Sequence, residues 1–156
     1  MQFPTVTGTN LDRQKLNLPE GFQGDWNLVF IAFQQWQQSQ VDSWIPFAKD
    51  LEATYPELRY YELPTLQNRN RLARTFINEG MRAGIPDPVA RERTITLYLD
   101  KKLFRQAIRV PREDEICVLL LDRDGHVQWR AEGVFSQERG DSLRSVLEAG
   151  QHNEAD

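Results

Sequence analysis

The chain has 156 residues and a formal net charge of −4, and its 40% hydrophobic and 27% charged residues are typical of one soluble globular domain. No apolar run approaches the roughly 20 residues that a membrane-spanning helix needs. One cysteine excludes an intramolecular disulfide, and together with two histidines it offers few ligands for zinc or iron–sulfur, so we expect no metal and no cofactor.

The N-terminal segment predicts a β-arm followed by a buried strand. Residues 1–5 contain neither a charged segment nor an apolar stretch, so we expect no signal peptide and a cytoplasmic protein. Turn residues within 3–18 predict a short hairpin or extended arm, and a loop follows at 19–24. The apolar run 28–33 is rich in β-formers and predicts a central strand buried on both faces.

The next segment predicts a helix and then a strand. Ser39 is the expected N-cap of the helix, and apolar residues recur at helical spacing as far as Tyr55. Pro46 lies inside this pattern and should kink the helix. Residues 58–63 follow as the second strand.

A helical and strand insertion is predicted around residues 66–107. Thr65 or Asn68 can open its first helix, and a glycine and two prolines end it. Regular alternation predicts a strand at 94–99, and a short helix follows it. The apolar stripe of the first helix is Leu72, Ala73, Phe76, Ile77 and Met81.

The last third predicts an antiparallel β-hairpin and a closing helix. Residues 116–121 form another buried strand, which turns at 122–125 into a partner strand. Ser136 is the expected cap of a helix that ends at Gly150, and residues 151–156 are expected to form a disordered tail.

The order of these elements predicts one domain over residues 1–150, because no linker or repeat divides them. Strands that alternate with helices predict an α/β fold in which helices flank a central mixed sheet. The N-terminal β-arm and the insertion are additions to that core.

The net charge conceals a strongly basic segment. Residues 66–112 hold eleven Lys and Arg against four Asp and Glu, a net charge of +7, which leaves −11 for the rest of the chain. A basic block on an acidic body predicts a dipolar surface and favours an anionic partner. A solvated face with local ion pairs is the alternative. Nucleic acid is not expected, because no glycine-rich phosphate loop or aromatic–basic RNA motif accompanies the block.

Three sequence features resemble the thioredoxin-like superfamily. The first is the strand at residues 29–33, followed by Trp36 and Pro46. The second is the strand–turn–strand at 120–127, and the third is Gly133 before the final helix. The resemblance covers roughly residues 3–149. It implies a thioredoxin-like fold, and the arm and the insertion are similar to those of the peroxiredoxin and TlpA branches.

The redox residues of that superfamily are missing. Counted from Pro46, the resemblance places its two cysteines near Gln38 and Val41. Counted back from Asp122 of the hairpin, it places its cis-proline at Ile116. Without a thiolate there is no attacking group for thiol–disulfide exchange, so we expect no enzyme. The alternative is a degenerate thiol reductase or peroxidase that uses Cys117, although a thiol in the middle of a buried strand is expected to be inert.

A narrower resemblance fits that loss. The mitochondrial assembly chaperones of the ATP synthase membrane sector, and their bacterial relatives, are thioredoxin-like and mostly lack the redox pair. This chain is similar to them in the arginine-rich insertion and at Ser43, Trp44, Pro46, Phe47, Asp122, Gly125, Trp129, Gly133, Glu138 and Leu143. The resemblance implies a non-redox interaction or assembly factor whose partner is a protein, in a membrane complex.

The candidate binding surface consists of Trp36, Gln37, Gln38, Trp44, Arg69, Arg71 and Arg74. Trp36 follows a central strand, and open α/β sheets bind ligands at the carboxyl ends of their strands. For Trp44 the alternative is a core position on the kinked helix. A small-ligand pocket lined by Trp36, Gln37 and Gln38 is a third possibility, and His126 is expected to face solvent.

Overall fold

The computed structural model describes residues 1–155, with side chains described through residue 150. Its strands are β1 (Val6–Asn10), β2 (Lys15–Leu18), β3 (Trp26–Ala32), β4 (Leu58–Gln67), β5 (Ile95–Leu99), β6 (Cys117–Asp122) and β7 (Val127–Glu132). Its helices are α1 (Gln38–Thr54), α2 (Arg71–Gly84), α3 (Pro88–Arg93), α4 (Lys101–Ala107) and α5 (Gln137–Ala155), and a 3-10 turn at Gln35–Gln37 precedes α1.

Within residues 1–155 these seven strands form one mixed sheet in the order β2-β1-β5-β4-β3-β6-β7. The three strands β3, β4 and β5 run parallel, and Val29 lies opposite Tyr61. The β1–β2 hairpin and the β6–β7 hairpin form the two edges of the sheet. The predicted mixed sheet flanked by helices is therefore confirmed.

Each face of the sheet has its own hydrophobic core, because side chains alternate along a strand. In β3, Leu28 contributes to the core beneath α1 and α5, where Trp44 is fully buried. Its neighbour Val29 contributes to the opposite core, beneath α4 and the N-terminal arm, and Cys117 lies there too. The face that a residue occupies decides which surface it can reach.

The start of α1 differs from the sequence expectation. Ser39 lies inside the helix, and its Oγ donates to the carbonyl of Trp36 at 3.4 Å. The chain instead enters through the 3-10 turn, where Gln34 and Gln37 cap each other reciprocally. Glutamine is an uncommon N-cap, so the sequence pattern favoured the serine.

The first helix of the insertion also begins later than predicted. Strand β4 continues through Thr65, and just beyond it the N–H of Asn68 donates to the carbonyl of Leu99 at 2.9 Å. Asn70 then caps α2 by accepting from the N–H of Ala73 at 2.9 Å. The helix α3 was not predicted, although Asp87 as its cap and a proline in its first turn are a recognised start signal.

The closing helix begins as predicted and runs further than expected. The N–H of Arg139 donates to Ser136 Oγ at 3.2 Å, and α5 continues beyond Gly150 to Ala155. The predicted disordered tail, residues 151–156, lies outside the fully described residues and stays a prediction. No helix in the described part of the chain combines the length and the apolar character needed to cross a bilayer.

Candidate functional site

The carboxyl ends of β3, β4 and β5 meet at one edge of the sheet. We call the segments that follow them, residues 33–42, 67–76 and 99–105, the carboxyl edge. Two contacts hold these segments together: the N–H of Lys101 donates to Gln67 Oε1 at 3.3 Å, and Lys101 Nζ donates to the carbonyl of Phe33 at 2.6 Å. Trp36, Gln38, Arg69 and Arg71, which are far apart in sequence, all belong to this edge.

Gln37 is buried at the carboxyl edge and joins it to the loop before β6. Its Oε1 accepts from the N–H of Phe33 at 2.8 Å, and its Nε2 donates to the carbonyl of Glu113 at 2.5 Å. Buried polar groups need such partners, and this side chain supplies them to two backbone groups. The prediction that Gln37 lines a binding surface is therefore corrected: its side chain is part of the core.

Gln40 contacts Ile116, the position at which the resemblance places the superfamily's cis-proline. Its Oε1 accepts from the N–H of Ile116 at 3.0 Å. A proline at Ile116 would have no N–H to donate, so this contact and the superfamily's cis-proline exclude each other. Gln37 and Gln40 together connect the start of α1 to residues 113–116, and we call this pair the glutamine bridge. The sequence showed a glutamine-rich stretch, but not which amides point inward.

Gln38, at the position of the first missing cysteine, is exposed and contacts two carboxyl groups. Its Nε2 donates to Asp42 Oδ1 at 2.9 Å and to Glu62 Oε1 at 3.0 Å. Burial raises the pKa of Glu62 and the negative charge of Asp42 adds to the rise, while the bond from Gln38 opposes it. Glu62 was not among the predicted site residues, and its signal in the sequence is a carboxylate between Tyr61 and Leu63 in a strand.

The two predicted tryptophans lie in opposite environments. Trp44 is buried, its Nε1 donates to the carbonyl of Gly133 at 2.9 Å, and its ring packs against Phe135 at 5.2 Å between centroids. It belongs to the core, which was the alternative interpretation, and its place in the binding surface is corrected. Trp36 is 59% exposed on the 3-10 turn, as expected for a residue that follows a central strand.

The three predicted arginines differ in how their side chains are used. Arg74 is engaged within the protein: its Nε donates to the carbonyl of Arg69 at 2.8 Å, its Nη2 bonds Asn68, and it lies over the ring of Tyr98. Arg69 and Arg71 are exposed, and no acidic side chain among the described residues pairs with them. Arg69 and Arg71, and not Arg74, can therefore meet an external anion.

Much of the remaining positive charge in the basic segment is neutralised locally. Arg93 pairs with Glu52, and Lys101 Nζ lies 2.6 Å from Glu113 Oε1. The alternative interpretation of local ion pairs therefore holds for these residues. Arg69, Arg71 and Lys102, by contrast, are exposed, and no acidic side chain among the described residues pairs with them.

Cys117 lies at the same end of the sheet as the carboxyl edge, but on the face opposite α1. It is buried between Ile31 of β3 and Glu132 of β7, its partners in the sheet. Burial raises the pKa of the Cys117 thiol to about 12, so the thiol is protonated at neutral pH. The prediction of a buried thiol is confirmed. The alternative, a reductase or peroxidase that uses Cys117, would need an accessible thiolate, and this thiol is buried and protonated.

His126 faces solvent after the β6–β7 turn, as predicted. Its ring lies with the carboxylates of Asp122 and Asp124, and one oxygen or nitrogen of each residue is within 4.8 Å of the others. The Asp122 carboxylate already accepts from the backbone N–H groups of Asp124 and His126 at 3.0 and 2.9 Å. The hydrogen bonds of the turn therefore explain why these three side chains lie close together.

Known proteins match this chain in family and in fold. The family model described as ATP10 protein matches residues 1–149. BsSco, a member of the Sco family of cytochrome c oxidase assembly proteins, aligns with a TM-score of 0.61 at 14% identity, over 96% of this chain and 94% of that chain.

Two further solved structures have the same fold. The exposed lipoprotein thioredoxin Etrx1 of Streptococcus pneumoniae has a TM-score of 0.57 at 12% identity, over 93% of this chain and 99% of that one. StoA of Bacillus subtilis has a TM-score of 0.55 at 9% identity, over 93% and 97%. No curated protein matches the chain. The thioredoxin-like fold and the narrower family resemblance predicted from sequence are confirmed.

Proposed function

The chain belongs to the ATP10 protein family, and from this membership we propose that it is an assembly factor for a membrane protein complex, acting by protein binding and without thiol chemistry. The proposal rests on which residues occupy the carboxyl edge. Where the superfamily holds its cysteines and cis-proline, this chain has a structural glutamine bridge and an exposed surface of Trp36, Arg69 and Arg71.

The chemistry of that surface suits a protein partner. Trp and Arg are the residues that contribute most often to binding energy in protein interfaces, because they combine large apolar area with directional hydrogen bonds. Arg69 and Arg71 would pair with acidic side chains of the partner while the ring of Trp36 buries its apolar face. Gln38 lies beside Trp36 and adds an amide to the same surface.

A thioredoxin-like scaffold in an assembly role is consistent with the family name of BsSco, a cytochrome c oxidase assembly protein. We expect the reducing cytoplasm as the compartment, where a lone thiol stays reduced. A small ligand is less favoured than a protein, because neither of two cavities in the described part of the chain, of about 250 and 300 Å³, is lined by Trp36, Gln37 or Gln38.

The proposal predicts that Arg69→Glu/Arg71→Glu abolishes capture of the partner while the fold is retained. Both side chains are exposed, so their reversal replaces attraction by repulsion at the interface without disturbing the core. We expect at least about a tenfold loss of captured membrane-complex subunits. The measurement is affinity capture from detergent-solubilised membranes, with the captured subunits quantified by mass spectrometry.

Lys15→Glu/Lys49→Glu is the matched control, because it makes the same change of net charge at exposed positions outside the carboxyl edge. The control should capture as much as the unaltered protein. If Arg69→Glu/Arg71→Glu captures the same subunits in the same amount, or if the unaltered protein captures no membrane-complex subunit, the proposal is wrong.

A further inference from the structure

The outer face of α2 carries apolar side chains that the protein does not cover. Leu72 is 85% exposed and Phe76 is 80% exposed, and their spacing of four residues places them on one face of the helix. Gly80, one turn further along, is equally open, since a Cβ added there would meet nothing within 4 Å. The apolar stripe predicted from sequence is thus split. Its other half, which includes Ile77, is partly covered by the protein.

The inner side of α2 is fixed to the protein by polar contacts. The hydroxyl of Tyr98 lies 2.8 Å from Asn78 Oδ1, and Arg13 pairs with Glu79 at 2.8 Å. The pair with Arg13 also neutralises the acidic residue nearest to Leu72 along the helix surface. The exposed face is therefore presented by an anchored helix, with the unpaired charges of Arg69 and Arg71 beside its first turn.

We propose that α2 docks on an anionic lipid surface, with Leu72 and Phe76 inserted at the level of the headgroups. An amphipathic helix with apolar side chains on one face and arginines at its border is the arrangement that binds membrane interfaces. This inference goes beyond the proposed function, because it gives Leu72 and Phe76 to lipid and leaves Trp36, Gln38, Arg69 and Arg71 to the protein partner.

The distribution of charge supports a lipid surface as the occupant. Arg69, Arg71 and Lys102 are exposed at the carboxyl edge, and no acidic side chain among the described residues pairs with them, so an anionic membrane attracts this part of the surface. Each arginine near an anionic surface contributes to this attraction, which salt weakens.

A second copy of the chain fits the same face poorly. A two-fold contact through this face would bury Leu72 and Phe76 of each copy, which is well short of the roughly 800 Å² per partner that a stable interface buries. An amphipathic protein helix would need a groove, whereas this face is a single open helix surface. A lipid interface needs no complementary shape.

The test is flotation of the purified protein with vesicles of phosphatidylcholine containing about one quarter phosphatidylglycerol. We expect the protein to float with these vesicles and not with phosphatidylcholine alone, and to lose binding when salt is raised to about 0.5 M. Leu72→Ser/Phe76→Ser should weaken binding by about tenfold or more, because it removes the inserting side chains while keeping every charge. Leu72→Phe/Phe76→Leu is the matched control and should bind as the unaltered protein does.

Two outcomes would overturn the inference. One is that the unaltered protein does not float with the anionic vesicles. The other is that Leu72→Ser/Phe76→Ser floats as well as the unaltered protein. If the protein does not float and Leu72→Ser/Phe76→Ser converts a dimer to a monomer in sedimentation, the face is a contact between copies. The serine variant should still capture the protein partner in detergent, so failure here and failure of the proposed function are distinguishable.

Discussion

Native Cys117 is expected to react with a maleimide at neutral pH roughly a thousandfold more slowly than the same cysteine in the unfolded chain. Burial raises the pKa of this thiol from 9.0 to about 12, and each unit lowers the thiolate fraction by about tenfold. The thiolate is the reacting species, so the rate follows its fraction, and the closed core around Cys117 slows the reagent further.

The pH dependence of this labelling has a definite sign. The unfolded chain should reach its maximal rate above the ordinary thiol pKa, whereas the native rate should keep rising with pH towards about 12. The control is the same protein in a denaturing concentration of urea, measured over the same pH range. Native labelling as fast as in urea would mean an exposed thiolate, and the reductase or peroxidase alternative would become the better account.

Gln37→Ala is expected to lower the free energy of unfolding by about 2–4 kcal/mol. The change leaves the N–H of Phe33 and the carbonyl of Glu113 without the partners that the amide now supplies, and it leaves a void in the core. Each buried backbone group that loses its partner costs about 1–3 kcal/mol. Denaturation in urea, followed by tryptophan fluorescence, measures the loss.

The neighbouring glutamine provides the control for that measurement. Gln38 has a similar sequence context but is exposed, and its amide contacts two carboxylates and no backbone group. Gln38→Ala should therefore change the free energy of unfolding by less than about 0.5 kcal/mol. If the two variants lose the same stability, Gln37 does not hold the carboxyl edge together in the way that its contacts indicate.

The fold was predictable from sequence because its central elements have strong local patterns. The apolar runs that became β3 and β6, the Asp–Gly turn before β7 and the Ser136 cap each specify their element with nearby residues alone. The start of α2 was not predictable in this way. Strand β4 continues to Gln67 because it pairs with β5, about thirty residues later in the chain, and that pairing postponed the helix to Asn70.

The sequence identified candidate residues, but not which of their side chains are exposed. Gln37 and Gln38 are the same residue type in the same stretch, and only tertiary contacts make one a core residue and the other a surface residue. The same holds for Arg69 and Arg74, since the ring of Tyr98 that Arg74 covers comes from a distant strand. Composition and spacing identify candidate residues, but they do not decide which side of a helix or turn meets the core.

The central claim is that this protein serves assembly by binding and not by thiol chemistry. The most direct measurement is the amount of assembled membrane complex on native gels, in cells whose own gene carries Cys117→Ala or Arg69→Glu/Arg71→Glu. The thiol-free variant should support assembly at the level of the unaltered protein, since only a buried sulfur is replaced by hydrogen, whereas the arginine variant should fail. Loss of assembly with Cys117→Ala, in a protein that retains its fold and abundance, would contradict the account.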